Sequence, residues 1–171
     1  MIQCLSARRP LRFAAMAWLV LLSIGVIRAE IRLPAIFANH MVVQRDIPFH
    51  VWGYASPNES VTVVFRGETK KTDADDLGHW SLYLRPGNAG GPFELQVEGT
   101  NRIALQDVLA GDVWIASGQS NMEFPMAGWS DAGVKNKVEE IAAANYPRIR
   151  LLDIHEASSD SPQDDVVIRN P

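Results

Sequence analysis

The sequence predicts an α+β fold, in which an N-terminal antiparallel β-sandwich precedes the first β-α-β unit of an incomplete α/β domain. Between about residues 30 and 107, apolar and polar residues alternate in short runs that turn residues separate, as in strands with one buried face. From residue 109 an apolar run, a helical repeat and a second apolar run follow one another. We therefore expect a sandwich over residues 30–108 and the start of an α/β domain over residues 109–171.

The first 29 residues are typical of a secretory signal peptide. Arg8 and Arg9 precede an apolar run from Phe13 to Ile27, and Ala29 supplies a small residue for cleavage. Ile27 is bulky for the usual cleavage pattern, which leaves an uncleaved anchor as the alternative, although the run is short for a membrane span. We expect a secreted or periplasmic protein without a stable membrane span, exported by the general or the twin-arginine route.

Composition excludes several functional classes. The single cysteine, Cys4, lies within the predicted signal peptide, so the mature chain has no thiol for a disulfide or a metal site. Removal of residues 1–29 takes away four arginines and leaves 12 basic residues against 20 acidic ones, a net charge of −8. Such a charge argues against nucleic acid and anionic membranes as partners. No metal or cofactor motif is present, and we expect neither.

The strands of the sandwich are predicted by the alternation of apolar and polar residues, in which every second side chain faces the core. Apolar residues alternate with polar neighbours in three clear runs, which comprise Val61, Val63 and Phe65; Trp80, Leu82 and Leu84; and Phe93, Leu95 and Val97. Aromatic side chains on the outer face of such a sandwich can stack on sugars, and the candidates are Trp52, Tyr54, Trp80 and Tyr83. We expect most of these in the core, Trp80 above all because it shares its parity with Leu82, whereas Tyr83 lies on the opposite face.

The segment from residue 111 to residue 123 contains the candidate reactive group. Val113 to Ala116 predict a buried parallel strand that leads through a polar turn into a helix beginning at Ser120. Ligands of open α/β sheets bind beyond the carboxyl ends of strands. Free amides of the first helical turn can stabilise the oxyanion that forms when a serine attacks an ester. Ser120 is therefore a candidate nucleophile.

A purely structural role accounts for the same spacing. Ser120 and Glu123 fit the capping box, in which the serine satisfies an amide of the first turn and the glutamate reaches back to the cap. A nucleophilic serine needs a base, and the spacing identifies none. Both roles stay open on the residues alone.

One helix and one further strand complete the predicted β-α-β unit. Pro125 and Gly128 predict a loop after the serine turn. Helical spacing then relates Val134, Val138, Ile141 and Ala142. Tyr146-Pro147 ends that helix, and Ile149 to Ile154 predict the next strand, whereas residues 153–171 predict loop or disorder. A parallel sheet of only two strands cannot have both faces covered, so the α/β domain is incomplete in this sequence. We therefore expect a fragment or a truncated product.

The motif around the serine resembles the first sequence block of the sialate O-acetylesterase family, a branch of the SGNH hydrolases. Gly118-Gln119-Ser120-Asn121-Met122 carries this resemblance, together with Gly111-Asp112-Val113-Trp114. Five upstream segments resemble the β-rich domain that precedes the hydrolase domain in this family: Leu33 to Phe37, His40 to Arg45, Val51 to Ala55, Gly78 to Trp80 and Gly90 to Phe93. The resemblance covers residues 31 to 126.

The resemblance implies an esterase that removes acetyl groups from O-acetylated sugars, built on a flavodoxin-like SGNH hydrolase domain. It makes Ser120 the nucleophile and the Ser120 amide a donor to the oxyanion, while Gln119 and Asn121 either position substrate or hold the turn. The acid and the histidine of the family belong to a later D-x-x-H block. Nothing here matches it, since Asp153-Ile-His155 has the wrong spacing. We therefore assign no base.

Three hypotheses follow. The first is that the sequence is the N-terminal part of a secreted carbohydrate O-acetylesterase, a carboxylic ester hydrolase whose catalytic set is incomplete in this chain and which is inactive as it stands. The second is a secreted β-sandwich module that binds glycan or protein without catalysis. The third is a truncated product without function.

Overall fold

The computed structural model describes residues 30–129 and 133–169. The predicted signal peptide over residues 1–29, with Cys4 inside it, lies outside the described residues and stays a prediction. Among the helices of the two described ranges, none has the length and apolar character needed to cross a membrane.

The described residues form mostly β structure with two short helices, in agreement with the coarse α+β class. The strands are β1 (Val42–Gln44), β2 (Phe49–Tyr54), β3 (Ser60–Phe65), β4 (Glu68–Asp73), β5 (His79–Leu84), β6 (Gly90–Glu98) and β7 (Arg102–Gly111). The helices are α1 (Ser120–Glu123) and α2 (Lys137–Ala143).

The strands form two sheets. The larger sheet has the order β1-β7-β6-β3-β4, and the smaller one pairs β2 with β5. Every pair is antiparallel, as predicted, except β1 with β7, which is parallel and aligns Val42 with Leu109. The long stretch of chain between β1 and β7 makes this exception sterically possible, since parallel neighbours need a crossover rather than a hairpin.

One apolar core lies inside these strands. The predicted inward residues are buried, with Val61, Val63 and Phe65 all at 0% exposure, except Phe93, which is partly buried against the core. Phe65 meets Phe49 edge to face, with ring centroids 5.3 Å apart, and Phe93 at 5.8 Å. Trp80 is buried as expected, and Tyr83 faces solvent. Period-two alternation therefore predicted the core of this region correctly.

The predicted strand over Val113 to Ala116 is not formed. Residues 112–118 have no regular structure, and Trp114 and Ile115 are 89% and 93% exposed. An apolar run becomes a parallel strand only when neighbouring strands pair with it and other elements cover both faces. Within residues 30–129 and 133–169 no strand pairs with this run, so its apolar character does not lead to burial.

The predicted strand over Ile149 to Ile154 is also absent, and with it the β-α-β crossover. Among the described residues, this range pairs only through an isolated antiparallel bridge between Ile154 and Ile168. The helix predicted before it is present as α2, but its apolar residues are exposed, with Val138 at 70%. Such a helix buries its apolar face on a sheet, and the described residues provide no sheet beside it.

The aromatic centre of the core gives a stability prediction. Phe65→Ala is expected to lower the free energy of unfolding by about 3–5 kcal/mol, because a fully buried ring with two aromatic neighbours is lost. Urea unfolding followed by tryptophan fluorescence measures this change. The control Leu77→Ala removes a 79% exposed side chain and should stay within about 0.5 kcal/mol of the wild type. Equal effects of the two substitutions would contradict the assigned core.

Candidate active site

Ser120 is the first residue of α1 and is exposed to solvent. The residue before it, Gln119, occupies the N-cap position and makes no side-chain capping bond. The Gln119 carbonyl instead accepts the amides of Met122, at 2.8 Å, and Glu123, at 3.4 Å. Ser120 therefore does not cap the helix, and the capping-box role predicted from its spacing is wrong.

The hydroxyl of Ser120 has no hydrogen-bond partner among residues 30–129 and 133–169. Its own amide begins the helix and so has no carbonyl to bond within the helix. Because α1 has a single turn, an oxyanion formed beside Ser120 would be stabilised by that direct N–H donor rather than by a long helix dipole. The serine is thus accessible, unengaged and next to a free donor.

Gln119 and Asn121 flank the serine on the same exposed turn. Neither side chain makes a hydrogen bond within the described residues, so neither holds the turn by its amide group. Gln119 contributes through its main-chain carbonyl alone. A role of the two side chains in positioning substrate stays a prediction.

The turn is shaped by close packing just before the serine. A Cβ atom at Gly118 would lie 2.5 Å from Cγ of Met122, so only glycine lets that side chain fold back over the turn. After the helix, Phe124 and Trp129 meet edge to face, with centroids 5.2 Å apart, across the predicted loop. The loop thus has aromatic packing of its own beside the serine.

The start of this segment is fixed on β1. The amide of Arg45 donates to the Gly111 carbonyl at 2.9 Å, and its guanidinium Nε donates to Asp112 at 2.8 Å. The Val113 amide donates to the Gln44 side-chain carbonyl at 2.9 Å. The chain therefore leaves β7 along a defined path, although the residues that follow belong to no strand.

All four histidines of the sequence lie among the described residues, and each is engaged away from Ser120. His40 lies 2.7 Å from Asp107, and His79 lies 3.7 Å from Asp75. His50 stacks on two aromatic rings, and the His155 ring lies 3.4 Å from the Arg169 guanidinium. None of them hydrogen-bonds to Ser120 in the described part of the chain, where no cluster of three potential metal ligands occurs either.

The structure brings together one polar cluster that the sequence did not predict. Arg150 donates to both carboxylate oxygens of Asp107 at 2.9 Å, to the Asp107 carbonyl, and to the His40 carbonyl at 2.8 Å. Hydrogen bonds from His40 and Arg150 hold the pKa of Asp107 below its usual range. Arg150 thereby fastens the segment after α2 onto the β-rich region.

Known carbohydrate esterases are similar to this chain in sequence and in fold. A crystal structure of a carbohydrate acetylesterase from Xanthomonas citri matches with a TM-score of 0.74 and 38% identity, over 80% of this chain and 31% of that one. Sialate O-acetylesterases of Pongo abelii and Mus musculus are 30% and 32% identical over 80% and 79% of this chain. No protein-family model matches.

Over about four-fifths of its length the chain is a homologue of the sialate O-acetylesterases, and the predicted resemblance to that family is confirmed. The chain spans only 28% of the Pongo abelii protein and 26% of the Mus musculus protein.

The Arg150 cluster gives a prediction on pH. The lowered pKa of Asp107 means that its ion pair contributes stability above the unfolded pKa, about 3.9, and that this contribution is lost as pH falls through the lower folded pKa. Arg150→Ala should therefore raise the pKa of Asp107 toward its ordinary value, measured by carboxyl carbon NMR titration. Arg148→Ala, two residues away, should leave it unchanged. Equal Asp107 pKa values in all three proteins would refute the assigned ion pair.

Proposed function

We propose that this chain carries the nucleophile of a secreted carbohydrate O-acetylesterase of the sialate O-acetylesterase type, and that Ser120 is this nucleophile. The observation that carries the proposal is the exposed hydroxyl of Ser120 at the first helical position of its motif, without a hydrogen-bond partner in the described part of the chain. Its homologues, named as sialate O-acetylesterases, and its structural neighbour, a carbohydrate acetylesterase, support an acetyl ester on a sugar as substrate. Export is proposed from the predicted signal peptide.

The chemistry divides into two steps. In the first, Ser120 Oγ attacks the acetyl carbonyl while a base takes its proton, and the resulting oxyanion accepts a hydrogen bond from the Ser120 amide. Collapse of this adduct breaks the bond to the sugar oxygen, which leaves as a hydroxyl after taking up the proton. In the second step water attacks the acetyl-serine, releases acetate and restores the hydroxyl.

The described residues place no general base beside Ser120 to take its proton. Each histidine of this sequence is engaged elsewhere, with Asp107, Asp75, Arg169 or a pair of aromatic rings. A serine without a base is a weak nucleophile at neutral pH. We therefore propose that this chain alone does not turn over esters and that a D-x-x-H segment beyond this sequence supplies the base.

The isolated chain provides the first test. The wild-type chain and Ser120→Ala are expected to hydrolyse p-nitrophenyl acetate at the same rate, because no histidine is placed to activate the hydroxyl. Release of p-nitrophenol measures the rate, and circular dichroism confirms that both proteins are folded. A rate that depends on Ser120 would disprove the proposed absence of a base.

A chimaera tests the nucleophile itself. Residues 30–169 of this chain would replace the matched segment of the Xanthomonas citri carbohydrate acetylesterase, whose remaining chain is retained. Ser120→Ala in this chimaera should reduce hydrolysis of an acetylated sugar by about 10⁴-fold, as expected for loss of a nucleophile.

Ser117→Ala is the matched control for the chimaera, because Ser117 lies in the same exposed loop three residues upstream. It should leave the rate of acetate release within a few-fold of the parent chimaera. Full activity of the Ser120→Ala chimaera would exclude Ser120 as the nucleophile.

A further inference from the structure

The outer face of the small sheet is unusually rich in ring side chains. Strands β2 and β5 bury one face, where Val51, Trp80 and Leu84 enter the core. By alternation every second residue faces outward. The outward residues are His50, Trp52 and Tyr54 on β2, and His79, Ser81 and Tyr83 on β5.

The register of the two strands produces a trough in this face. His50 is opposite Tyr83, and Tyr54 is opposite His79, so a ring faces a ring at both ends. Between them Trp52 is opposite Ser81, whose small side chain leaves the space above it open. An open depression of about 360 Å³ lies here.

The rings around the trough are held in place by their neighbours. His50 stacks on Trp52 with centroids 5.0 Å apart and on Tyr83 at 4.6 Å. Phe37 contacts the Trp52 ring edge to face at 4.8 Å. At the other end Tyr54 meets His79 edge to face at 5.5 Å. A ligand that enters the trough therefore encounters fixed aromatic walls, which reduces the entropic cost of binding.

Two carboxylates border the trough. Asp75 Oδ1 accepts the amides of Leu77 and His79 at 2.9 and 2.8 Å. Its Oδ2 lies 3.7 Å from His79 Nδ1, beyond hydrogen-bond distance, and can accept a hydrogen bond from a ligand. The hydrogen bond from the His79 amide is the main reason why the pKa of Asp75 lies below its usual range, so Asp75 is ionised at neutral pH. Asp164 reaches the trough from the segment after α2, and its side chain has no partner among the described residues.

The aromatic walls and the carboxylates of the trough favour one chemical class of ligand, a neutral sugar. A pyranose has apolar C–H faces that pack on aromatic rings and hydroxyl groups that donate to carboxylates. The residues that line the trough include no lysine or arginine. The Arg32 guanidinium lies beside it, over the Tyr54 ring at 5.7 Å from the centroid, and its single positive charge is outnumbered by the two carboxylates. A negatively charged sugar would be repelled by Asp75 and Asp164, whereas a neutral one would not.

We propose that the trough between β2 and β5 binds a neutral sugar residue of a glycan, at a site separate from Ser120. Trp52 provides the apolar platform, Ser81 the space, and Asp75 and Asp164 the hydroxyl acceptors. The site holds the chain on carbohydrate without taking part in hydrolysis. It stands whether or not Ser120 is a nucleophile.

Direct binding to the full chain tests the proposal. Saturation-transfer NMR and calorimetry would use xylotetraose, cellotetraose, lactose and 3′-sialyllactose. At least one neutral sugar should bind, and 3′-sialyllactose should bind no tighter than lactose, from which it differs by the anionic residue. Trp52→Ala and Ser81→Leu should each weaken the neutral sugar at least tenfold, the first by removing the platform and the second by filling the space.

Two further variants, one outside the trough and one at its border, test whether the sugar binds in the trough rather than elsewhere on the surface. Trp114→Ala is the control: it removes a tryptophan that is 89% exposed outside the trough and should leave binding unchanged. Asp164→Asn removes a charge at the surface without disturbing the core, and it should weaken the neutral sugar while reducing the preference over 3′-sialyllactose. Absence of binding to every neutral sugar, unchanged binding in folded Ser81→Leu, or tighter binding of 3′-sialyllactose than of lactose would overturn the proposal.

Discussion

The alternation of side chains along β2 and β5 is the constraint on which the rest of this structure depends. One face of this pair must close the core, since Val51, Trp80 and Leu84 belong to the same buried cluster as Phe65. Because successive side chains of a strand point to opposite faces, the remaining side chains of β2 and β5 face outward. The core and the aromatic trough are thus two consequences of one register, and a shift by one residue would exchange them.

The local alternation of apolar and polar residues was sufficient to predict strands in the β-rich region, where each strand packs on residues of the same region. The alternation around Val63, Leu82 and Val97 predicted β3, β5 and β6, because each strand has neighbours and a core within the same hundred residues. The runs at Val113 to Ala116 and Ile149 to Ile154 carry equally apolar residues, yet neither forms a strand. Whether an apolar run is paired depends on elements elsewhere, and that information is not in the run.

At the candidate site, too, local features were predicted from the sequence and contacts between distant residues were not. The apolar run Val113 to Ala116 followed by a polar turn predicted the helix start at Ser120. Resemblance to a family implied the nucleophile role that spacing left undecided. The Arg150 contact with Asp107 and His40 had no local signal, because it joins residues 43 or more positions apart. The trough was missed for a similar reason, since parity alone placed Tyr83 outside but gave no pairing of Trp52 with Ser81.

The attachment of the chain to β1 at Gly111 has a consequence for how the serine meets other groups. Nine peptide links separate this fixed point from Ser120, and they span at most about 30 Å when fully extended. The hydroxyl is thus tethered within a small volume beside the end of β7. Any group that acts together with the serine must therefore reach within that distance of Gly111.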